Sequence, residues 1–218
     1  MGDVVVLSEV LQDRSRPVHG PAAFFFALDC PLCYLAAERV ERVLGEIEWV
    51  PVLTSSSGSG MFAGESGRLR TAQEHLALAE QEARALNLPL VEPQRYPFDV
   101  RPVSRAAVHA TEHGVGARFA LAAMRLAFCG GFDLSRPEVI GEASEIAGLR
   151  ASEAVVAAVT PRYDARLEAT ARGLASRGVS LPAIRIGKRW CQGVDAVTCA
   201  SMCQGLGIDG DAPPLHAG

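Results

Sequence analysis

The chain lacks any apolar run approaching the roughly 18 to 20 residues that a bilayer-spanning helix needs, so no membrane segment is expected. It also lacks a basic leader. Met1 to Val10 offers an apolar stretch shorter than the roughly 7 to 15 residues of a secretory signal core, and a cytoplasmic setting is expected. Basic charge is not in excess: 21 Lys and Arg against 25 Asp and Glu leave a net −4, so counter-ion release has no evident surface to act through, and nucleic acid is not expected as a partner. There is no internal repeat. Gly58-Ser59-Gly60 does not run on into a Lys-Ser/Thr pair, which argues against a phosphate loop. What remains is 218 residues that are 49% hydrophobic and 21% charged, a globular composition sized for one or two domains.

Val4 to Leu7 reads as a short strand within an N-terminal extension, residues 1–21. Ala22 to Leu28 is apolar and aromatic without alternation, as in a strand buried on both faces. From Pro31 the period changes, with Cys33, Ala36, Ala37, Val40, Val43 and Leu44 on one helical face and Gly45 as the stop. Ile47 to Leu53 reads as a second strand, and strand, helix, strand implies a parallel pair. Thr54 to Gly67 is rich in Ser and Gly and reads as a mobile loop. Thr71 to Leu86 is helical in composition, and Pro89, Pro93, Pro97 and Pro102 then predict an extended connection. Ser104 to Arg177 is an Ala-, Leu- and Glu-rich helical block broken at Gly114 and Gly116, Gly130-Gly131, Gly148 and Pro161. Ala183 to Ile186 and Arg189 to Cys191 form a hairpin about Gly187-Lys188, and Asp195 to Leu206 a closing helix; the tail from Asp209 is expected to fray. The pattern is one small α/β sheet interrupted by a long helical insert, residues 68–177, between 22–60 and 178–210.

The six cysteines are Cys30, Cys33, Cys129, Cys191, Cys199 and Cys203, most of them expected as thiols in a reducing cytosol. Cys30-Pro31-Leu32-Cys33 falls where a buried strand gives way to a helix. There the unpaired N–H groups and positive dipole end favour a Cys30 thiolate over its ordinary thiol, while Pro31 suits the first turn, where its missing N–H is not needed. Cys33, three residues on, lies within reach to release a mixed disulfide formed on Cys30. One such pair supplies only half of a tetrahedral zinc set and the remaining cysteines make no second Cys-x-x-Cys, so no metal is expected, although Cys199 and Cys203 would share a helix face with Cys191 nearby in sequence. The bland alternative is a set of buried thiols that only pack. Cys129, at the end of an apolar helix, reads as core. His109 and His113 are spaced i, i+4, but no Glu follows His109 directly, and the pair reads as solvated or core-edge. Arg166 and Arg172 read as a solvated face.

Gly178-Val179-Ser180-Leu181-Pro182-Ala183-Ile184 opens a strand on an apolar residue and Pro after the helical insert. It resembles the thioredoxin-fold segment whose cis-proline faces the Cys-x-x-Cys, the plainer reading being a proline that merely starts a strand. The stretch from Phe24 to Leu206 resembles the DsbA-like oxidoreductase family in the broad sense that includes 2-hydroxychromene-2-carboxylate isomerases and kappa-class glutathione transferases. The insert, with Ala106 to Gly114, Phe119, Ala122 and Gly131-Phe132-Asp133-Leu134-Ser135, follows that family's order of Ala-rich helix, Gly break, helix and Gly-x-Asp-Leu-Ser turn. The resemblance implies a thioredoxin-like fold with an all-helical insertion, and a thiol-disulfide oxidoreductase in which Cys30 attacks and Cys33 resolves. Pro31, Leu32, Leu181 and Pro182 would bound the groove for a cysteine-containing protein or small-thiol substrate, with the Leu181 backbone pairing to an extended peptide.

The alternative within the resemblance is a glutathione-dependent isomerase or transferase. Members of that branch usually carry Ser where this chain has Cys30, and a non-cysteine residue where it has Cys33; both thiols here favour redox chemistry. The branch's glutathione-binding turn falls on Gly193-Val194-Asp195-Ala196, so Gly193 and Asp195 are candidate glutathione contacts, with Asp195 equally suited to cap the last helix. No other cofactor than the Cys30–Cys33 disulfide is implied, and a homodimer only by analogy. Leu32, unlike a His, cannot donate toward Cys30, which predicts a couple less oxidising than the periplasmic type.

Overall fold

A computed structural model describes residues 22–54 and 72–205 of the chain. The N-terminal strand Val4–Leu7, most of the Ser/Gly loop and the tail lie outside the described residues.

Among the described residues four short strands make one sheet in the order β2-β1-β3-β4, with β1 at Ala23–Phe26, β2 at Glu48–Pro51, β3 at Ala183–Ile186 and β4 at Arg189–Gln192. The sequence Ala-Phe-Phe-Phe supplies β1 with no polar face, and all four of its residues are buried. Such a strand needs neighbours on both edges, and it has them: β2 runs parallel to it and β3 antiparallel. Phe24, Phe26 and Trp49 stack on one face, with Trp49 edge-on to Phe24 at 5.0 Å between centroids, and Phe25 meets Trp190 at 5.0 Å on the other. The predicted second strand is shorter than the apolar run Ile47 to Leu53, because Pro51 ends regular pairing; one more bond, Val52 N–H to the Phe26 carbonyl at 2.8 Å, extends it.

The first helix, α1 (Pro31–Leu44), connects β1 to β2. Cys33, Ala36, Ala37 and Val40 face the core as the period predicts, but Val43, in the last turn, is 41% exposed. Gly45 closes the helix at φ +75°, a region that costs glycine nothing, and its N–H caps the Glu41 carbonyl at 3.0 Å.

The long insert comprises α2 (Ala72–Leu86), α3 (Arg101–Glu112), α4 (Gly116–Phe128), α5 (Pro137–Ala147), α6 (Ala151–Ala158), a 3-10 turn at Pro161–Tyr163, and α7 (Asp164–Ala175). One boundary differs from expectation. Pro102 lies inside the first turn of α3, where a missing N–H costs nothing, so the helix starts before it rather than after. The break expected at Gly114 and Gly116 separates α3 from α4, with Gly116 the first residue of α4. A Cβ there would come within 2.5 Å of the Thr111 hydroxyl, so its smallness permits the close α3–α4 approach. Between α4 and α5, Asp133 Oδ1 accepts from the Ser135 N–H at 2.9 Å and hydroxyl at 2.6 Å, fixing the turn that the Asp-Leu-Ser run announces.

The insert does not fold around a separate core. One continuous apolar cluster runs from Phe24 and Ile184 in the sheet through Cys33 and Val40 of α1 to Phe119, Phe128, Ile140 and Leu167. A bidentate ion pair from Arg125 on α4 to Glu38 on α1, at 2.6 and 2.7 Å, ties the same two layers at the surface. The chain then returns through β3 and β4 to α8 (Ala196–Gly205), which packs beside α1. No described helix is long and apolar enough to cross a membrane.

Candidate active site

Cys30 occupies the N-cap of α1 with extended backbone, and Pro31 begins the helix. The cap geometry aims the Cys33 backbone N–H at Cys30 Sγ, 3.3 Å away, so the first-turn donor that a Ser or Asp cap would satisfy is taken by sulfur. One turn in, Cys33 Sγ accepts from the Ala27 N–H at 3.5 Å. Both cysteines are free thiols.

Three side chains that the sequence reading passed over complete the surroundings. His75, on α2, is buried and hydrogen-bonds to Cys30. Asp29, immediately before Cys30, accepts from the Thr54 hydroxyl at 2.6 Å through Oδ2, while its Oδ1 is sealed from water with no hydrogen-bond partner. Tyr96 donates its hydroxyl to the Asp29 carbonyl at 3.1 Å. No local motif marks His75. The only signal in the chain was a His on the helix that follows the Ser/Gly loop, and nothing in its spacing ties it to Cys30.

These contacts split the two thiols. Burial pushes the Cys30 thiol up, but hydrogen bonds from Cys33 and His75, with the charge of His75, more than offset it and bring it down to about 6. Burial drives Cys33 well above the ordinary thiol range, and the neighbouring Cys30 and Asp29 push the same way. Burial likewise lifts Asp29 to about 6, against the Thr54 hydrogen bond, and holds the Tyr96 hydroxyl firmly protonated. The site therefore contains one sulfur that ionises at neutral pH beside one that does not. In one respect it differs from a reactive cysteine open at a helix start: Cys30 is 0% exposed, so a reactant reaches it only after its covering side chains shift.

The far end of the chain arrives by sheet register. Phe25 pairs with Ala183, which sets Leu181-Pro182 at the end of β1 from which the Cys30 turn springs. The Leu181–Pro182 peptide is cis, both residues are buried, and the Pro182 carbonyl accepts from the Gly193 N–H at 2.9 Å. Gly193 thus joins this end of the sheet. Asp195 stands exposed directly before α8, its carbonyl taking the Cys199 N–H at 2.8 Å, which is the backbone position of a cap.

No family model matches the chain, and no curated protein does. Among solved structures, a 2-hydroxychromene-2-carboxylate isomerase superposes with TM-score 0.66 at 16% identity over 86% of this chain and 95% of its own. A probable DsbA oxidoreductase from Streptomyces coelicolor gives 0.67 at 18% identity over 91% and 95%. The cytosolic disulfide reductase DsbM from Pseudomonas aeruginosa, solved with GSH, gives 0.58 at 18% over 78% and 88%. The chain has the DsbA-like thioredoxin fold.

The remaining candidates lie elsewhere. His109 is half-buried and bonds to the Tyr163 hydroxyl at 3.0 Å, and exposed His113 turns its Nδ1 to the His109 carbonyl at 2.9 Å, a local arrangement at the helix surface. Cys129 is only partly buried, because it caps α4 and does not continue it; its Sγ lies 3.0 Å from the Tyr34 hydroxyl. Cys191 and Cys199 form a disulfide, with Cys203 beside them. Arg166 and Arg172 are exposed, as their setting predicts.

Proposed function

We propose that the protein is a thiol-disulfide oxidoreductase that uses the Cys30–Cys33 dithiol. The observation that carries this reading is the placement of Cys30 at the N-cap of α1 with its Sγ 3.3 Å from the Cys33 N–H and Cys33 one turn in, a setting that lowers the Cys30 thiol and raises Cys33. The Cys30 thiolate attacks a substrate disulfide, forming a mixed disulfide and expelling one substrate thiolate. Cys33 then gives up its proton and attacks Cys30 Sγ, closing the internal disulfide and expelling the second thiolate. Two electrons pass to the substrate, and the reverse sequence oxidises a dithiol.

The cis Leu181-Pro182 segment suits the substrate groove: it brings a backbone strand to the sulfur-bearing end of the sheet, and proline has no N–H to compete with an incoming chain. Pro31 and Leu32 form the opposite wall. Glutathione is proposed as a small-thiol partner, with Gly193 at this end of the sheet and Asp195 exposed for a glutamyl amine. The proposed setting is the cytoplasm. A glutathione-dependent isomerase would need no second thiol, and the pairing of Cys33 with Cys30 favours redox turnover.

The test is reduction of insulin by dithiothreitol. The protein is expected to accelerate precipitation of the insulin chains, and Cys30→Ser to return the rate to the uncatalysed background. Wild-type protein that gives no acceleration, or a fully active Cys30→Ser variant, would sink the assignment.

A further inference from the structure

Apart from the Cys30 site, β4 and α8 bring three more cysteines together. Cys191 lies on β4, held by register opposite Ile184, while Cys199 and Cys203 lie one turn apart on α8. Their three Sγ atoms all fall within 4.8 Å of one another. Cys191 and Cys203 are 3% and 6% exposed and Cys199 is half-buried, so the cluster is closed on the core side and open through Cys199. Ala196, Val197 and Ala200, all buried, supply no competing polar group from the same helix. In the structure Cys191 and Cys199 are joined and Cys203 is a free thiol.

A disulfide requires two sulfurs, and the third calls for a separate reason. Three thiols converging from two rigid elements match one face, three of the four positions, of a tetrahedral thiolate site. With metal–sulfur bonds of about 2.3 Å, the sulfurs of such a site stand about 3.8 Å apart, inside the spacing that these backbones already allow. Thiolates select thiophilic cations over hard ones, and a three-ligand set leaves a fourth position for water.

We propose that Cys191, Cys199 and Cys203, when all are reduced, form a binding site for a thiophilic divalent cation of the zinc type, and that the Cys191–Cys199 disulfide is the state that excludes it. Opening the disulfide consumes two electrons and two protons, both supplied by a dithiol that itself closes to a disulfide, or the electrons by a phosphine that becomes its oxide while water gives the oxygen and the two protons. Binding of the cation then displaces three thiol protons and leaves the three thiolates on the metal. The site is thus gated by the same class of exchange that Cys30 and Cys33 carry out, yet it does not depend on them. This proposal departs from the expectation that the chain holds no metal: the helical pair Cys199 and Cys203 and the Cys191 near them in sequence are brought within reach of one another by strand register.

The test uses the full chain carrying Cys30→Ser and Cys33→Ser, so that only the second cluster can respond. Zn2+ is titrated anaerobically against a chromophoric chelator, after phosphine reduction and again after oxidation. One equivalent is expected in the reduced protein and none in the oxidised protein. Cys203→Ser and, at the more exposed position, Cys199→Ser are each expected to weaken binding at least about tenfold, with circular dichroism showing that both still fold. Co2+ in place of Zn2+ is expected to give sulfur-to-metal charge-transfer absorption that falls in each variant. Failure of the reduced protein to bind Zn2+, or binding that survives both substitutions undiminished in folded protein, would overturn the proposal.

Discussion

His75 on α2 is hydrogen-bonded to the sulfur of Cys30. It supplies from a separate helix the donor that the Pro31-Leu32 dipeptide lacks, and this changes what the couple can do. The thiol at about 6 falls between the roughly 7 of a thioredoxin and the roughly 3.5 of a DsbA. On the proposed redox reading, a reduced state stabilised to that intermediate degree predicts a potential between about −270 and −120 mV.

Replacing His75 with Ala is therefore expected to raise the Cys30 pKa by about one unit, worth about 1.4 kcal/mol. The reduced form is the one that loses, so the potential falls by about 30 mV. His75→Gln, which keeps a donor without a positive charge, is expected to lie between. Thiolate absorbance against pH, together with equilibration in glutathione buffers, measures both quantities. An unchanged pKa in folded His75→Ala would remove the imidazole from the account.

Alkylation of Cys30 is expected to follow its thiolate. The rate should climb as pH rises through about 6 and level off near neutrality, instead of climbing through the ordinary thiol range near 8.5. Cys33, pushed the other way, should stay unmodified across the same interval. In Cys33→Ser the mixed disulfide on Cys30 has no internal attacker and should accumulate, visible as a mass adduct with a cysteine peptide. Equal labelling of both thiols at pH 7 would contradict the split.

The parts of this molecule legible in its sequence are those written in local period. The unbroken Ala-Phe-Phe-Phe run gave β1, the apolar face from Cys33 to Val40 gave α1, and the Cys30 cap could be placed because strand and helix meet at it. Leu181-Pro182 could be matched through its resemblance to a known segment. What could not be read was set by tertiary packing. His75 comes to Cys30 from α2, and Tyr96 to the Asp29 carbonyl from the proline-rich connection. Neither leaves a periodic or spaced trace. The complete burial of Cys30 is of the same kind, since it follows from what packs over the helix start and not from the helix itself.

Tyr34 makes a testable anchor for the proline-rich connection. Its side chain is fully buried, and its hydroxyl donates to the Pro89 carbonyl at 3.0 Å. A phenol has one proton, so the 3.0 Å contact with Cys129 must run from the thiol to the Tyr34 oxygen. Tyr34→Phe strands both partners while filling the same volume, and is expected to cost about 1 to 2 kcal/mol. Urea unfolding should show a lower midpoint with an unchanged slope, and insulin reduction should proceed at the wild-type rate, because Tyr34 touches neither reactive sulfur. A midpoint shift below about 0.5 kcal/mol would mean that water or neighbours repair the loss.

Asp29 carries the reverse case, a group whose ionisation works against the fold. Burial raises its carboxyl from 3.8 to about 6, so the folded chain holds the proton more tightly than the unfolded chain does. The resulting stability is fully present below the unfolded value near 4, is lost as pH rises toward 6, and above that leaves a buried carboxylate as a standing cost of about 2 to 3 kcal/mol at most. Asn is close in shape, still accepts the Thr54 hydroxyl through its carbonyl oxygen, and cannot ionise. Asp29→Asn is therefore expected to stabilise the reduced protein by about 1 to 2 kcal/mol at pH 7.5 and by nothing measurable at pH 4. Because the Cys30 thiolate is one of the charges holding the Asp29 proton on, closing the Cys30–Cys33 disulfide should shrink the gain. Urea unfolding of both proteins at the two pH values, reduced and oxidised, decides the matter: a stabilisation that is independent of pH would show that shape, not charge, separates Asp from Asn at this position.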